Sequence, residues 1–200
     1  MHLSNFPLSK FIVKLHQIDE VFLSKAGLIN MKRKILVTTL IGATLVFGTG
    51  VGAYAATPYA STTLKSQLKY MAEEEKLARD VYTVLAQSSS IARFSNIARS
   101  EQVHLDQISS VLQTYGIWNP TLTRAPGVFY DKNLAALYTQ LIAQGTRSAA
   151  DANAVGILVE NTDLADLGKI VTTSAQSDVR TALSILTSGS RNHLAAFSRF

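Results

Sequence analysis

The sequence predicts an all-α fold: a four-helix bundle whose long crossover, carrying a short extra helix, lies between helices two and three. Two observations lead there. Inward-facing positions recur at alternating steps of three and four in four separate runs, and little of the chain alternates with the period of two that a half-buried strand needs. Helix breakers collect in one stretch, "GIWNPTLTRAPGVFYDKN" (residues 116–133), between the second and third runs. Cysteine is absent, which excludes disulfides, thiolate metal sites, iron–sulfur clusters and Cys nucleophiles, so the domain must rest on its own core.

The first 55 residues are read apart from that domain. From Met31 the chain runs "MKRKILVTTLIGATLVFGTGVGAYA": a basic start, an apolar run, then small residues ending Ala53-Tyr54-Ala55. This is the layout of a secretory signal cleaved near Ala55, and Met31 is the better start of translation because residues 1–30 add a mixed segment that signals rarely carry. An uncleaved anchor is the competing reading, since residues 35–55 are long enough to span a bilayer; their Gly and Thr content and the Ala-x-Ala ending favour cleavage and export. Residues 56–200 are then the mature domain. They hold 13 Lys or Arg and 12 Asp or Glu, so the basic character of the whole chain belongs to its targeting end. Without a clustered basic face, nucleic acid is not an expected partner, and no membrane is expected after cleavage.

Helix one starts from the Ser61-Thr62-Thr63 cluster and turns Leu64, Leu68, Met71, Glu75, Ala78, Tyr82 and Leu85 inward. Ser88-Ser89-Ser90 separates it from helix two, whose stripe is Phe94, Ile97, Glu101, His104, Ile108, Val111 and Tyr115. The crossover follows, with the short apolar helix "LAALYTQLIAQG" stopped by Gly145. Helix three begins near Ser148, with Asp151 three residues on in a box-like capping pattern, and shows Gly156, Glu160, Asp163, Leu167 and Ile170. Helix four begins after Ser177-Asp178 and shows Val179, Leu183, Leu186, Ser190, His193, Phe197 and Phe200. The long crossover lets helices two and three run parallel, which is the ferritin-like arrangement among bundles.

Each stripe is apolar except for polar residues near its middle. Glu75, Glu101, Glu160 and Asp163 bring about four negative charges to one level, and a carboxylate buried without a partner costs several kcal/mol. His104 and His193, the two histidines of the mature domain, fall on the same stripes. Two divalent cations would balance such a set, and oxygen plus imidazole donors suit iron, manganese or zinc. Glu101 and His104, three apart, project from one face and can hold one ion together. A Glu on one helix and Glu-x-x-His on the next, repeated twice, is the di-iron carboxylate pattern of bundle cores.

The blocks "EEEKLARDVY", "NIARSEQVH", "VGILVENTDLADL" and "GSRNHLAAF" resemble those of a bacterial and archaeal family of the ferritin-like superfamily, usually described as a domain of unknown function. The likeness spans roughly residues 64–200, and the chain is more distantly similar to rubrerythrin. The resemblance selects Glu75 over Glu73 and Glu74, because rubrerythrin's ligand glutamate is followed by x-x-Ala-Arg-x-x-Tyr, here Ala78, Arg79 and Tyr82. It implies a metal ligand set of Glu75, Glu101, His104, Glu160, Asp163 and His193, with one or two iron ions as cofactor. Ser190 departs from the pattern: it stands where a chelating glutamate is expected, which weakens one of the two metal positions. Asp163, shorter than the glutamate of the pattern, is expected to reach one ion only.

Other groups have simpler readings. Glu73 and Glu74 are expected in a solvated acidic patch, Arg79 in a helix salt bridge to Glu75, and Tyr82 in the core. Trp118, Phe129 and Tyr130 are expected to pack the crossover onto the bundle. Ser190 is a poor nucleophile candidate beside His193, three residues on along the same helix and without an oxyanion motif. Three functions stay open: an exported di-iron-type protein reacting with dioxygen or peroxide, a non-catalytic single-metal binder, and a degenerate bundle serving as an envelope interaction module. Metal ions are the expected partners, with an external reductant if the centre is redox-active; a homodimer is the assembly considered.

Overall fold

The computed structural model describes residues 60–173 and 176–199, all within one compact unit, Thr57–Phe200. The segments read as an extension (1–30) and as a secretory signal (31–55), together with Phe200, lie outside the described residues. Among the described residues every regular element is a helix, and none is long and apolar enough to cross a membrane. The helices are α1 (Thr62–Ser89), α2 (Ala92–Thr114), α3 (Lys132–Gly145), α4 (Ala149–Thr173) and α5 (Ser177–Phe197).

Capping chemistry sets the boundaries. Ser61 Oγ accepts the Leu64 N–H at 3.1 Å to open α1, which closes on Ser90 at φ 57°. Asp131 opens α3 by accepting the N–H groups of Asn133 and Leu134. Ser148 Oγ accepts from Asp151 N–H at 3.0 Å and donates to the Asp151 carboxylate at 2.8 Å, so the expected pattern at the start of α4 is formed. α5 begins slightly earlier than expected, at Ser177, and Asp178 in its first turn accepts the Tyr115 hydroxyl.

All four inward stripes are buried at every described position. α1 pairs with α2 and α4 with α5, while α1 also packs on α4 and α2 on α5. The layers fix direction. At one end Tyr82, Phe94 and Phe197 stack with ring centres 5.4–6.0 Å apart, and Gly156 of α4 meets Phe197 so closely that a methyl there would lie 2.6 Å from the ring. At the other end Leu68, Met71, Leu105, Ile108, Leu167, Leu183 and Leu186 form an aliphatic core, each such side chain contributing about 1.5–3 kcal/mol on burial. Residue numbers rise between these ends in α2 and α4 and fall in α1 and α5, so α2 and α4 run parallel, as the long crossover allows.

The crossover is tied to the outer face of α1, and here two expectations are corrected. Glu73 and Glu74 are not solvated: they are 3% and 8% exposed. Glu73 accepts the backbone N–H groups of Tyr130 and Asp131, the latter at 2.9 Å, because the crossover covers this face and needs an acceptor there. One turn on, Lys76 is fully buried, donating to Asp80 at 2.5 Å and to the Ala125 carbonyl at 2.9 Å, 4.5 Å above the Phe129 ring. Asp80 also accepts the Gly127 N–H. Phe129 packs inward as expected, but Trp118 and Tyr130 are 55% and 66% exposed, stacked edge-on upon each other, because Glu73 and Lys76 hold this part of the crossover through its backbone.

Candidate metal centre

Between the aromatic and aliphatic layers lies a polar one. Glu75 comes from α1, Glu101 and His104 from α2, Glu160 and Asp163 from α4, and His193 and Ser190 from α5; none is more than 9% exposed. Steps of three keep Glu101 and His104, Glu160 and Asp163, and Ser190 and His193 each on one helix face, and packing between the helices brings these faces to one level.

Glu101 is the hub. One carboxylate oxygen lies 2.7 Å from His104 Nδ1 and the other 2.8 Å from His193 Nδ1. Glu75 approaches His104 Nδ1 at 3.4 Å and Glu160 approaches His193 Nδ1 at 3.6 Å. Both imidazoles thus turn Nδ1 toward the carboxylates, their rings stacked with centres 5.4 Å apart. The donor atoms of Glu101, His104 and His193 lie within 4.8 Å of one another, a spacing one cation can bridge. Asp163 is turned differently: it accepts the Ser190 hydroxyl at 2.5 Å, and Ser190 also contacts the Leu186 carbonyl. The Ser190 hydroxyl is thus engaged by Asp163 and the Leu186 carbonyl, while His193 faces Ser100, Glu101 and Glu160.

Unpartnered polar atoms concentrate here. Glu75 Oε1, Glu101 Oε1, Asp163 Oδ1 and His193 Nδ1 are buried without a hydrogen-bond partner. Glu101 Oε1 and His193 Nδ1 are close enough to attract yet are not aligned as donor and acceptor. Buried polar atoms are satisfied in most folds, and a knot of orphans on carboxylate and imidazole groups is a donor set that fits a cation or water.

The electrostatics agree. Burial raises Glu101, but His104 and His193 outweigh it and hold the carboxyl down to about 2. Burial lowers both histidines, yet their acidic neighbours dominate and lift His104 to about 10 and His193 to about 9. Burial pushes Glu160 and Asp163 each up to about 7, with Glu101 adding to both, and sends Glu75 well above the carboxylate range. Protons thus serve as the counter-charges that a divalent ion would replace.

Several supporting groups are not legible in the sequence. Ser100 Oγ sits 2.9 Å from His193 Nε2 and fixes that ring by its far nitrogen. Gly189 leaves room for His104: a methyl there would lie 2.2 Å from His104 Nε2. The adjoining "RSE" and "SGS" triplets are the available signals, but nothing in helical period distinguishes them. Tyr82, expected in the core, also donates to Glu160 at 2.6 Å, and burial and that carboxylate raise its own pKa. Arg79 does not pair with Glu75 as expected; it binds neighbouring Asp80 and Gln102, because Glu75 turns inward and away from it.

Residues 65–200 match the family described as an uncharacterized protein domain, DUF2202. An uncharacterized protein of Methanocaldococcus jannaschii, MJ0754, is 41% identical over 135 residues, covering 68% of this chain and 73% of that protein. The crystal structure of the hypothetical protein MJ0754 from Methanococcus jannaschii DSM 2661 matches at a TM-score of 0.70 and 38% identity, over 74% of this chain and 84% of that one.

Proposed function

We propose that this chain, which belongs to the DUF2202 family, is an exported metal-binding protein with a ferritin-like four-helix bundle around a carboxylate/His centre. The ferritin-like reading draws on two hairpins joined by a long crossover, with parallel α2 and α4 and acids at mid-height. One observation supports the metal: ligand candidates on four helices carry buried donor atoms without a hydrogen-bond partner, and among them Glu101 stands between the Nδ1 atoms of His104 and His193.

Glu75, Glu101 and His104 would hold one ion, and Glu101, Glu160 and His193 a second, with iron the leading candidate and manganese or zinc the alternatives. Bound iron would supply one-electron chemistry toward dioxygen or peroxide. The chain's own residues orient and dehydrate: Ser100 holds His193, Tyr82 holds Glu160, and the aromatic and aliphatic layers keep water out.

A second reading, one ion per chain and no catalysis, is favoured by Ser190, which binds Asp163 and offers no carboxylate. Elemental analysis of the purified protein after anaerobic loading with Fe(II) tests both, beside Glu101→Ala and His193→Ala. About two irons per chain, lost in both variants, supports the dinuclear reading; one ion supports the simpler one. No metal in any preparation, with folded protein throughout, removes the centre.

A further inference from the structure

The buried centre needs a way in for its cation, and its surroundings differ in what they offer. One end is filled by Tyr82, Phe94 and Phe197, and the other by the aliphatic core. The crossover side is closed by Lys76, Asp80 and Phe129, which satisfy one another and the loop backbone. Toward α5, His104 fits against Gly189 with no space for a methyl, and His193 ends on Ser100.

The seam between α1 and α4 is different. Asp163 and Asp166 stand one turn apart on α4, and Glu74 of α1 hydrogen-bonds Asp166 and feels the charges of Asp166, Asp163 and its neighbour Glu75. Asp166 keeps 15% of its side chain exposed, where the solvent-facing Lys169 pairs with it at 2.8 Å. Glu74 and Asp163, only 8% and 9% exposed, each carry one oxygen without a hydrogen-bond partner, Glu74 Oε2 and Asp163 Oδ1. Carboxylates buried within reach of one another's charge repel, and a row of them with unused oxygens is a poor structural device. It is a good transit site for a hard divalent cation, which exchanges carboxylate oxygens readily.

We propose that Asp166, Glu74 and Asp163 form an acidic relay that takes up divalent cations at the α1–α4 seam and delivers them to the Glu/His centre. Asp166 captures the ion, exchanging its Lys169 partner for it. Glu74 Oε2 receives the ion, and Asp163 Oδ1 hands it to the level of Glu75 and Glu101. The inference rests on the metal-binding reading of that centre.

The test is stopped-flow uptake of Co(II) by the full chain, followed by its absorption, with stoichiometry at equilibrium from elemental analysis. Asp166→Asn and Glu74→Gln are compared with Asp151→Asn, a half-buried acid in the first turn of α4. Local charge focusing changes association rates by roughly 10–10³, so about tenfold slower uptake is expected in the first two variants, with stoichiometry and the Asp151→Asn rate unchanged. Unaltered rates with normal final loading would overturn the relay while leaving the centre intact. Lost stoichiometry in folded Asp166→Asn would overturn it too, by making Asp166 a ligand. Failure of the parent protein to bind any cation would remove the centre and the relay together.

Discussion

Gly189→Ala tests whether His104 is clamped in place, because helix propensity and packing predict opposite signs. Alanine is the better helix former, by about 1 kcal/mol in a helix interior, so on backbone grounds the change should stabilise α5. The added methyl would lie 2.2 Å from His104 Nε2 and 2.4 Å from its Cε1, whereas ordinary contact starts near 3.4 Å, so the ring must retreat by about 1.2 Å. It cannot retreat freely, since Nδ1 is held 2.7 Å from Glu101 with Glu75 behind it at 3.4 Å. Overpacking of this kind costs about 1–3 kcal/mol, and a strained charge-assisted hydrogen bond adds to it. A net loss of about 1–3 kcal/mol is expected in the metal-free protein. Metal affinity, which depends on where Nδ1 points, should fall about 10–100-fold, the range seen when a ligand's support is disturbed. Thermal unfolding without metal and competition against a chelating dye measure the two effects. A variant that melts higher than the parent and binds Co(II) equally well would refute the argument, for His104 would then be neither clamped nor a ligand.

Two further predictions concern other parts of the fold. Glu73→Ala leaves the Tyr130 and Asp131 N–H groups without their acceptor, and should cost about 1–3 kcal/mol and increase amide exchange in the crossover, while the metal content stays unchanged. The metal-free protein should lose stability as pH rises. Glu160 and Asp163 titrate near 7 when folded, against about 4 unfolded, so the stability they give at low pH is lost between those values. His104 and His193, lifted to about 10 and about 9 from an ordinary value near 6.5, continue the loss up to those values. Glu101, held near 2, acts oppositely and is felt only below about pH 4.5. A melting temperature falling from pH 5 to pH 9, restored by added divalent cation most strongly at the alkaline end, is the expected result. A flat profile for the metal-free protein would contradict it.

Helical periodicity carries much of this molecule. The four stripes, the short crossover helix, the capping residues Ser61 and Ser148, and the level shared by Glu75, Glu101, His104, Glu160, Asp163 and His193 all follow from helical spacing, since burial of one face is a one-dimensional signal. The outer face of α1 escapes that signal for the same reason. Glu73 reads as solvated along the helix, and only the arrival of residues 125–131 from elsewhere in the chain encloses it together with Lys76 and Asp80. Arg79 pairs with Asp80 rather than Glu75 because the centre draws Glu75 inward. Ser100 and Gly189 acquire roles solely through atoms of other helices, at 2.9 Å from His193 and at van der Waals limit from His104. The chain's own order determined which residues of the four stripes are buried. Which of them touch, and through which nitrogen or oxygen, was decided by packing between helices, because side-chain direction depends on neighbours far away in sequence.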